Sequence, residues 1–383
     1  MRRPPGQAPW WQRGATCALS SATYNCPGSA SRTPLALVSG ALRLSLSLSL
    51  PRTPHPGESS GVSPPGPPSA SSIMYISAVA RSDFHAWVHL FRAYCDFYEV
   101  PHTVSLEDSA FSLFFTDRHP NRLHGLLARD DEGMLLGFAH FRTAPSSLDA
   151  NETFTTFLDD LFTAPSARGK GVGRALIASV VDWGRASGAG CVQWTTAVGN
   201  LTAQALYDKV ALRTHWFPFR ISFPCVTLAV HASDSVSTEL GLRPGHHKQW
   251  QELFHAYSVF YECPVRASVS EKVLRWLLDP SHPQKAITAI SADGELIGFL
   301  HYRSRPRSLS GSHVGYIDDL FVSDEARGSG AADALLQRFF QLCIGHGWPL
   351  AHWITAETNR TAQQVYKRNG AFHNPFLLYE IAL

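Results

Sequence analysis

Two glycine-rich segments, each led by an arginine, are the parts of this chain whose residue types and spacing could do chemistry. They read Arg168-Gly-Lys-Gly-Val-Gly173 and Arg327-Gly-Ser-Gly-Ala-Ala332, and they lie 159 positions apart. Consecutive backbone N–H groups in such a turn, followed by the positive end of a helix, bind phosphate, and side chains would block its approach. The leading arginine adds a fixed positive charge. The spacing therefore predicts a phosphate-binding turn, present twice.

Two better-known phosphate-binding motifs do not fit these segments. The dinucleotide-binding pattern GxGxxG requires glycine at the positions of Arg174 and Asp333. The P-loop requires a hydroxyl residue after its lysine, where Gly171 stands. A turn that merely connects a strand to a helix is the structural alternative for one copy, but two copies that keep the pattern favour a shared ligand.

The rest of the chain repeats at nearly the same interval. At the offset of 159, Asn200 and Tyr207 in the first copy match Asn359 and Tyr366 in the second. Upstream, an aromatic helix pattern recurs at an offset of 163, so only short insertions separate the copies. A period of about 160 residues is one ordinary domain, too long for a solenoid repeat.

Composition divides the 383 residues into three parts. We predict a low-complexity leader at 1–73 and two domains at 74–222 and 223–383, with almost no linker and packed on each other. An apolar content of 44% is sufficient for two cores. The leader has six arginines, one acid and no lysine, so it carries +5, and the net charge of +2 leaves −3 for the remainder. The body gives no reason to expect nucleic acid as a partner.

The cysteines and the composition of the leader indicate in which cellular compartment the protein is found. Seven cysteines form no CxxC pair, which favours a reducing compartment, the cytoplasm, and argues against a metal. No apolar run reaches the roughly 18 residues that a membrane span needs, so no membrane association is expected. The arginine- and serine-rich leader is interpreted as a disordered extension or a start-site artefact ahead of Met74, or alternatively as a mitochondrial transit peptide.

Each copy is predicted to fold as a mixed sheet with helices: a strand, two helices, an antiparallel hairpin, a motif strand, the glycine turn and its helix, then strand, helix and final strand. The motif strand, the next helix and the next strand form a βαβ unit with parallel outer strands. The predicted strands are Tyr75–Val79, 123–128, 134–141, 153–163 and 191–196 in the first copy and Cys225–Ser233, 286–290, 296–302, 316–322 and 351–355 in the second.

The order strand, Arg-x-x-Gly-x-Gly/Ala, helix, strand and Asn-x-x-Ala-x-x-x-Tyr resembles the signature of the GCN5-related N-acetyltransferases (GNAT), in both copies and over about 310 of 383 residues. The resemblance implies the α/β (α+β) class, with two tandem GNAT-like domains. Each would be a mixed, mostly antiparallel twisted sheet flanked by helices, with a central βαβ unit that binds coenzyme A. It also implies acetyl-CoA as the co-substrate and no metal.

By this resemblance the glycine turns hold the coenzyme A pyrophosphate, and the asparagine of the next turn contacts its pantetheine arm. The implied cofactor-binding residues are Arg168, Gly169, Lys170, Gly171, Val172, Gly173 and Asn200 in the first copy and Arg327, Gly328, Ser329, Gly330, Ala331, Ala332 and Asn359 in the second. The acyl oxygen is expected to meet a main-chain N–H of the motif strand, near Leu161 or Phe162 and near Leu320 or Phe321.

An alkyl ammonium with a pKa near ~10.4 is only about 1 part in 10³ neutral at pH 7, so a base must remove its proton. The motif strand is most similar to that of spermidine/spermine acetyltransferases, where an acid occupies the positions of Asp159 and Asp318. The similarity implies that these are direct or water-relayed bases, with a structural cap as the alternative. Their neighbours Asp160 and Asp319 must face the other side of the strand.

Two further pairs of residues have expected roles. Tyr207 and Tyr366 match the tyrosine of the family and would protonate the departing thiolate, provided that their neighbours lower the phenol pKa from about 10. Glu99 and Glu262, at the end of the first helix of each copy, could hold a cationic amine or serve only at the helix end.

The sequence therefore predicts an N-acetyltransferase that transfers acetyl to a primary amine by direct attack in a ternary complex. A small amine is favoured over protein lysine because the body is mildly acidic. The alternative is a coenzyme A-binding regulatory module in which one or both copies are inactive. The copies differ at the turn itself, where Lys170 and Arg174 in the first correspond to Ser329 and Asp333 in the second.

Overall fold

The computed structural model describes residues 42–44, 74–116, 122–146, 154–223 and 235–383. The remainder of the predicted leader and the strand predicted at Cys225–Ser233 lie outside these residues. Among the described helices, none is long and apolar enough to cross a membrane.

The first copy is a mixed sheet with helices on both faces. Its elements are β1 (Leu42–Leu44), β2 (Met74–Ala78), α1 (Phe84–Phe97), α2 (Val104–Thr116), β3 (His124–Arg129), β4 (Leu135–Pro145), β5 (Phe154–Thr163), α3 (Val172–Ala186), β6 (Ala189–Ala197), α4 (Leu201–Tyr207), β7 (Leu212–Arg213) and β8 (Trp216–Ser222). As predicted, β3 and β4 form an antiparallel hairpin, and β5 and β6 are parallel.

The second copy repeats this order. Its elements are β9 (Val236–Leu240), α5 (His247–Phe260), α6 (Ala267–Leu278), β10 (Lys285–Ser291), β11 (Leu296–Arg307), β12 (Ser312–Val322), α7 (Ala331–Gly345), β13 (Leu350–Ala356), α8 (Arg360–Arg368), β14 (Phe372–His373) and β15 (Phe376–Ala382). The hairpin β10–β11 and the parallel pair β12–β13 are also present. The predicted α/β class, with two tandem units that each contain a mixed sheet, flanking helices and a central βαβ unit, is confirmed.

The two sheets exchange their final strands. The first sheet has the order β1-β2-β3-β4-β5-β6-β15-β7, and the second has the order β14-β8-β13-β12-β11-β10-β9. Thus β8, which ends the first copy in sequence, pairs with β13 over all seven of its residues. In return, β15 at the end of the chain pairs with β6, also over seven residues. Each sheet is complete only when it includes a strand from the other half of the chain.

The helix after each glycine turn is held by one apolar face. In α3 the buried residues recur at helical spacing, and the same positions are buried in α7. Burial of one such side chain contributes about 1.5–3 kcal/mol, so four or more of them per helix fix its position on the sheet. The buried pairs that match between the copies are Leu176 with Leu335, Ile177 with Leu336, Val180 with Phe339 and Val181 with Phe340.

Candidate functional site

Each glycine turn ends in left-handed backbone immediately before its helix. Gly169 and Gly171 have φ angles of +78° and +83°, and Gly171 is the residue that precedes α3. Gly328 and Gly330 have angles of +86° and +89° before α7. Residues with a Cβ adopt this conformation at a cost, which explains the glycines. The first N–H groups of a helix lack intrahelical acceptors, so both turns present donors suited to an anion.

In the first copy the turn forms one wall of a cleft of about 850 Å³. The cleft lies where the parallel pairing of β5 with β6 stops, after Leu158 and Trp194. All seven cofactor-binding residues predicted for this copy line it. The other sequence-predicted residues on its walls are Asp159, Leu161, Phe162 and Tyr207. The structure therefore brings the predicted site residues of the first copy together.

The asparagines on the next turn serve as helix caps in both copies. The side-chain oxygen of Asn200 accepts a hydrogen bond from the backbone N–H of Ala203 at 3.3 Å and begins α4. Asn359 accepts from Ala362 at 3.1 Å and begins α8. Capping uses only the oxygen, so the amide group of Asn200 also lines the cleft at a fixed position.

The aspartate pairs lie at a β-bulge in each motif strand. His140 of β4 is opposite Asp160 and Phe141 is opposite Leu158, so Asp159 is the extra residue of the first bulge. The same shift leaves Asp318 as the extra residue of β12. A bulge re-aims a side chain relative to the regular alternation of a strand. The sequence could not place this bulge, and its position at the aspartates gives the two members of each pair different surroundings.

Asp160 is the centre of a buried hydrogen-bond network. Tyr94 Oη donates to it at 2.5 Å, His140 Nδ1 donates at 2.8 Å, and Ser308 Oγ of the second copy also donates to it. Trp87 Nε1, which can only donate, lies 3.0 Å from His140 Nε2, so this imidazole is neutral with its proton on Nδ1. Burial opposes ionisation of Asp160, but these hydrogen bonds outweigh it and lower its pKa.

The same network is repeated around Asp319. Tyr257 Oη donates at 2.9 Å, His301 Nδ1 donates at 2.7 Å, and Trp250 Nε1 donates to His301 Nε2 at 3.1 Å. Since each carboxylate is satisfied by fixed donors, Asp160 and Asp319 hold α1 and α5 to their sheets. From the sequence, Asp160 and Asp319 are expected to face the side of the strand opposite to Asp159 and Asp318.

Asp159 is the more exposed member of its pair, and it lines the cleft, whereas Asp160 is not among the residues that line it. Its Oδ2 lies 3.1 Å from Arg142 Nε, and its side chain is 14% exposed. Burial raises the pKa of this carboxyl, although Arg142 and Arg305 act in the opposite direction. In the second copy Asp318 pairs with Arg303 at 2.5 Å and is 7% exposed, and burial raises its pKa to about 6. A carboxylate with a raised pKa accepts a proton more readily than a free aspartate.

The neighbours of Tyr207 and Tyr366 do not lower the pKa of the two phenols, as protonation of the thiolate would require. Tyr207 and Tyr366 are buried, each against a tryptophan and other rings. Burial raises the pKa of both phenols instead of lowering it, because the phenolate would be poorly solvated. The condition for the acid role is therefore not met in this structure, and the role itself stays a prediction. Tyr207 still lines the cleft, where it can donate a hydrogen bond without giving up its proton.

The second turn carries less positive charge than the first. Arg327 pairs with Asp324 at 2.5 Å. Asp333, at the position of Arg174, accepts hydrogen bonds from Arg368 Nε at 2.7 Å and from Asn369 at 2.6 Å. Ser329 Oγ accepts from the N–H of Ala331 at 3.3 Å. The residues predicted to bind a cofactor in this copy are thus present, but Arg327, the only cation among them, has an acidic neighbour in Asp324.

A second cavity, of about 390 Å³, adjoins the first cleft and lies between the two copies. Both spaces are bordered by Tyr94, Tyr98, Asp159 and Thr195, so Asp159 stands at their junction. Glu99 lines the second cavity and has a left-handed φ of +55°, as does Glu262. The structure thus places Glu99, but not Glu262, beside the space next to the cleft.

Sequence reasoning missed the residues that the second copy contributes to this cavity. They are Arg305, Pro306, Arg307, Ser308, Leu309, Leu350, His352, Asn374 and Phe376. The only signal in the sequence was a difference between the copies, Arg303-Ser-Arg-Pro-Arg307 against Arg142-Thr-Ala-Pro-Ser146. Among the described residues, no cluster of three or more histidine, cysteine or acidic side chains could hold a metal ion.

The comparisons with known proteins agree with this architecture. The profile of the "Acetyltransferase (GNAT) family" matches residues 87–211 and 250–371. The D-amino-acid N-acetyltransferase HPA3 of Saccharomyces cerevisiae is 34% identical over 140 residues, which cover 36% of this chain and 84% of that protein.

Two solved structures share the fold. A GCN5-related N-acetyltransferase from Sphaerobacter thermophilus gives a TM-score of 0.53 at 17% identity, over 81% of this chain and 95% of that one. A tandem GNAT protein from the clavulanic acid biosynthesis pathway gives a TM-score of 0.50 at 15% identity, over 81% and 98% of the two chains.

Proposed function

Because the chain belongs to the acetyltransferase (GNAT) family, we propose that it is an N-acetyltransferase that transfers the acetyl group of acetyl-CoA to a primary amine. The cleft of the first copy carries this proposal. An anion-binding turn at a helix N-terminus and an aspartate with a raised pKa line the same space. The name of the yeast relative supports an amine acceptor.

The first cleft has the groups that coenzyme A requires. Arg168, Lys170 and Arg174 surround the N-terminus of α3 and suit the phosphate groups. Beyond Leu158, β5 no longer pairs with β6, so this edge of the strand suits the amide groups of pantetheine. The volume of about 850 Å³ lies within the roughly 300–1,000 Å³ usual for ligand sites.

The proposed reaction is direct attack of the amine on the thioester. Asp159 takes the proton that the amine loses, which frees the nitrogen lone pair. A C–N bond forms at the carbonyl carbon, and the C–S bond breaks with its electron pair on sulfur. A main-chain N–H at Leu161 or Phe162 stabilises the charge on the acyl oxygen. Tyr207 donates a hydrogen bond to the leaving sulfur, and the extra proton left on the acylated nitrogen is released to solvent, from which the thiolate is protonated.

We further propose that the first copy is the working one. Coenzyme A is strongly anionic, and the first turn offers three cationic side chains. In the second turn Arg327 is paired with Asp324 and Asp333 is paired with Arg368. The second copy then serves mainly to complete the first sheet with β15 and to wall the adjoining cavity.

The test is turnover of acetyl-CoA, followed by release of free thiol, with a panel of amines. Gly171→Asp should abolish turnover because it places a carboxylate and a Cβ where phosphate binds. Gly330→Asp is the matched control, since its φ of +89° imposes the same backbone strain as the +83° of Gly171. We expect Gly330→Asp to retain most of the activity.

The same measurement of thiol release distinguishes an acetyltransferase from the alternative, a coenzyme A-binding module without activity. Tight binding of acetyl-CoA without thiol release from any amine or from lysine peptides would favour the coenzyme A-binding module. Equal loss in both variants would contradict the assignment of one working copy. We propose a small amine over protein lysine because the acceptor cavity lies between the two copies and is lined by both of them.

A further inference from the structure

The cavity between the two copies is lined by charges of both signs, and the first copy contributes the carboxylates of Glu99, Asp159 and Asp160. Its lining includes the guanidinium groups of Arg220, Arg305 and Arg307. Arg220 belongs to the exchanged strand β8, and the other two lie at the end of β11. An amine arrives as a cation and gains nothing from these groups. They therefore indicate that another part of the acceptor is anionic.

Arg305 is buried, but its contacts are neutral. Its side chain lies 2.8 Å from Nδ1 of His352, and its guanidinium stacks over the rings of Tyr316 at 4.5 Å and Phe157 at 5.3 Å. Burial keeps the pKa of His352 well below its usual range, so this imidazole is uncharged. Burial and the neighbouring Arg142 lower the pKa of Arg305, and Asp159 only partly offsets them, so a further anion would stabilise this buried charge.

The nearby carboxylates are already engaged. Asp159 pairs with Arg142, and Asp160 accepts hydrogen bonds from three fixed donors. Within the part of the chain that the structure describes, neither Arg305 nor Arg307 takes part in an ion pair. Asp159 and Asp160 favour the charged form of Arg307, and Asp159 that of Arg305, but both carboxylates already have closer partners.

The repeat provides an internal comparison for these arginines. Strands β4 and β11 pair in the same register with their motif strands, so that Ala144 faces Thr155 where Arg305 faces Val314. By the same alignment Ser146 matches Arg307. The shared fold therefore does not need an arginine at either position. The arginines are particular to the copy that borders the acceptor cavity of the first cleft.

We propose that Arg305 and Arg307 of the second copy bind the carboxylate of an amino-acid acceptor whose amine faces Asp159 of the first copy. The proposal rests on the function proposed above and narrows its acceptor class. Guanidinium groups bind carboxylates with paired, charge-assisted hydrogen bonds. A carboxylate held on the β11 side leaves the amine directed to the junction with the cleft.

The remaining walls favour an acceptor with an apolar side chain. Phe157, Leu309 and Phe376 line the same cavity. A polyamine would place further cations beside three guanidinium groups, which is unfavourable electrostatically. The acceptor therefore differs in charge from that of the spermidine/spermine enzymes that the motif strand resembles.

The experiment compares phenylalanine, in both enantiomers, with phenethylamine, which is the same amine without the carboxylate. The variants Arg307→Ser and Arg305→Ala install the residue types of the first copy. We expect the wild-type protein to prefer phenylalanine, and each variant to raise the KM for phenylalanine roughly 10- to 100-fold. The KM values for phenethylamine and acetyl-CoA should stay within about twofold. Arg185→Ser, at the exposed end of α3, is the control.

Three results would overturn the proposal. Phenethylamine could be the better acceptor for the wild-type protein, the variants could impair both acceptors equally, or Arg185→Ser could have the same effect. Since Arg305 is buried, Arg307→Lys gives a second test, in which partial recovery of the phenylalanine KM supports binding by charge.

Failure of this proposal can be distinguished from failure of the proposed function. Transfer to amines without any preference for a carboxylate contradicts only the amino-acid acceptor. If no turnover is observed, calorimetry still tests the amino-acid acceptor, because the affinity for N-acetylphenylalanine can be compared with that for N-acetylphenethylamine. Tighter binding of the carboxylate product, lost in Arg307→Ser, supports the proposal, and equal binding overturns it.

Discussion

Two adjacent aspartates in one strand have opposite surroundings, and this difference assigns their roles at the scale of single residues. Asp160 accepts hydrogen bonds from Tyr94, His140 and Ser308, which lower its pKa and occupy its oxygens. Asp159, in the bulge, has Arg142 beside it and faces the two cavities. A group that must gain and lose a proton needs access to substrate and a free oxygen, so we propose Asp159, which lines both cavities, over Asp160, which lines only the second.

Asp159→Asn should lower kcat by about 100- to 1,000-fold, because the amide cannot accept the amine proton. The affinity for acetyl-CoA, measured by calorimetry, should stay within about threefold of the wild type. Asp318→Asn is the matched control and should leave kcat nearly unchanged. Near-normal turnover by Asp159→Asn would show that another group, or water alone, removes the proton.

The pH dependence of kcat/KM tests the same residue. The base works when it is ionised, so activity should rise as pH rises through its pKa. Since burial raises the pKa of Asp159, the acidic limb should lie above the ordinary value of 3.8. This limb should be absent from the residual activity of Asp159→Asn, and an unchanged limb would assign it to a different group.

Tyr207→Phe should reduce kcat only modestly, by roughly 10-fold. The phenol is buried and its pKa is raised, so it contributes a hydrogen bond to the leaving sulfur and not a mobile proton. Tyr366→Phe, in the second copy, should have no effect on thiol release. A loss of several thousandfold for Tyr207→Phe would instead indicate full proton transfer from the phenol.

At the scale of elements, the turn between β11 and β12 positions the cavity wall. It packs against α2 of the first copy at Gly311, where φ is +55°. A Cβ there would lie 2.8 Å from the Cβ of Ser109 and 3.2 Å from Leu106 Cδ1. This close approach holds the end of β11, and with it Arg305 and Arg307, over the acceptor cavity.

Gly311→Ala should therefore destabilise the protein by about 1–3 kcal/mol and raise the KM for the acceptor, because the turn must move away from α2. Gly294→Ala is the control: its φ of +83° also lies in the left-handed region, but a Cβ would meet nothing within 4 Å. We expect a smaller loss of about 1 kcal/mol and an unchanged acceptor KM for the control. Thermal unfolding and steady-state kinetics measure the two effects. Identical acceptor KM values for Gly311→Ala and Gly294→Ala would show that the turn does not position the acceptor site.

The elements that the sequence predicted are those fixed by local pattern. Apolar spacing defined α3, and the glycines at Gly169 and Gly171 are required by left-handed backbone. The strands that pair with β8 and β15 could not be predicted from the sequence. The two copies are similar, so the final strand of each fits either sheet. Arg305 and Arg307 were missed because a contact between copies, and not a motif, brings them to the first site.

At the scale of the whole molecule, the strand exchange makes each half depend on the other. In the first sheet β15 lies between β6 and β7, and in the second β8 lies between β13 and β14. Without the other half, each sheet would lose an internal strand, and its neighbouring strands would be left with unpaired edges. The exchange also holds the two copies together at the cavity that both of them line.

A protease recognition sequence inserted between residues 229 and 230 tests this dependence. After cleavage, the two fragments should elute together at the size of the intact chain and retain thiol release, because β8 and β15 each remain paired over seven residues in the opposite sheet. Expressed singly, each fragment should aggregate through its unpaired edge strand. The uncleaved insertion variant controls for the added sequence. Fragments that separate in native buffer, or a first fragment that is soluble, monomeric and active alone, would contradict the dependence and would also remove the second copy's arginines from the acceptor site.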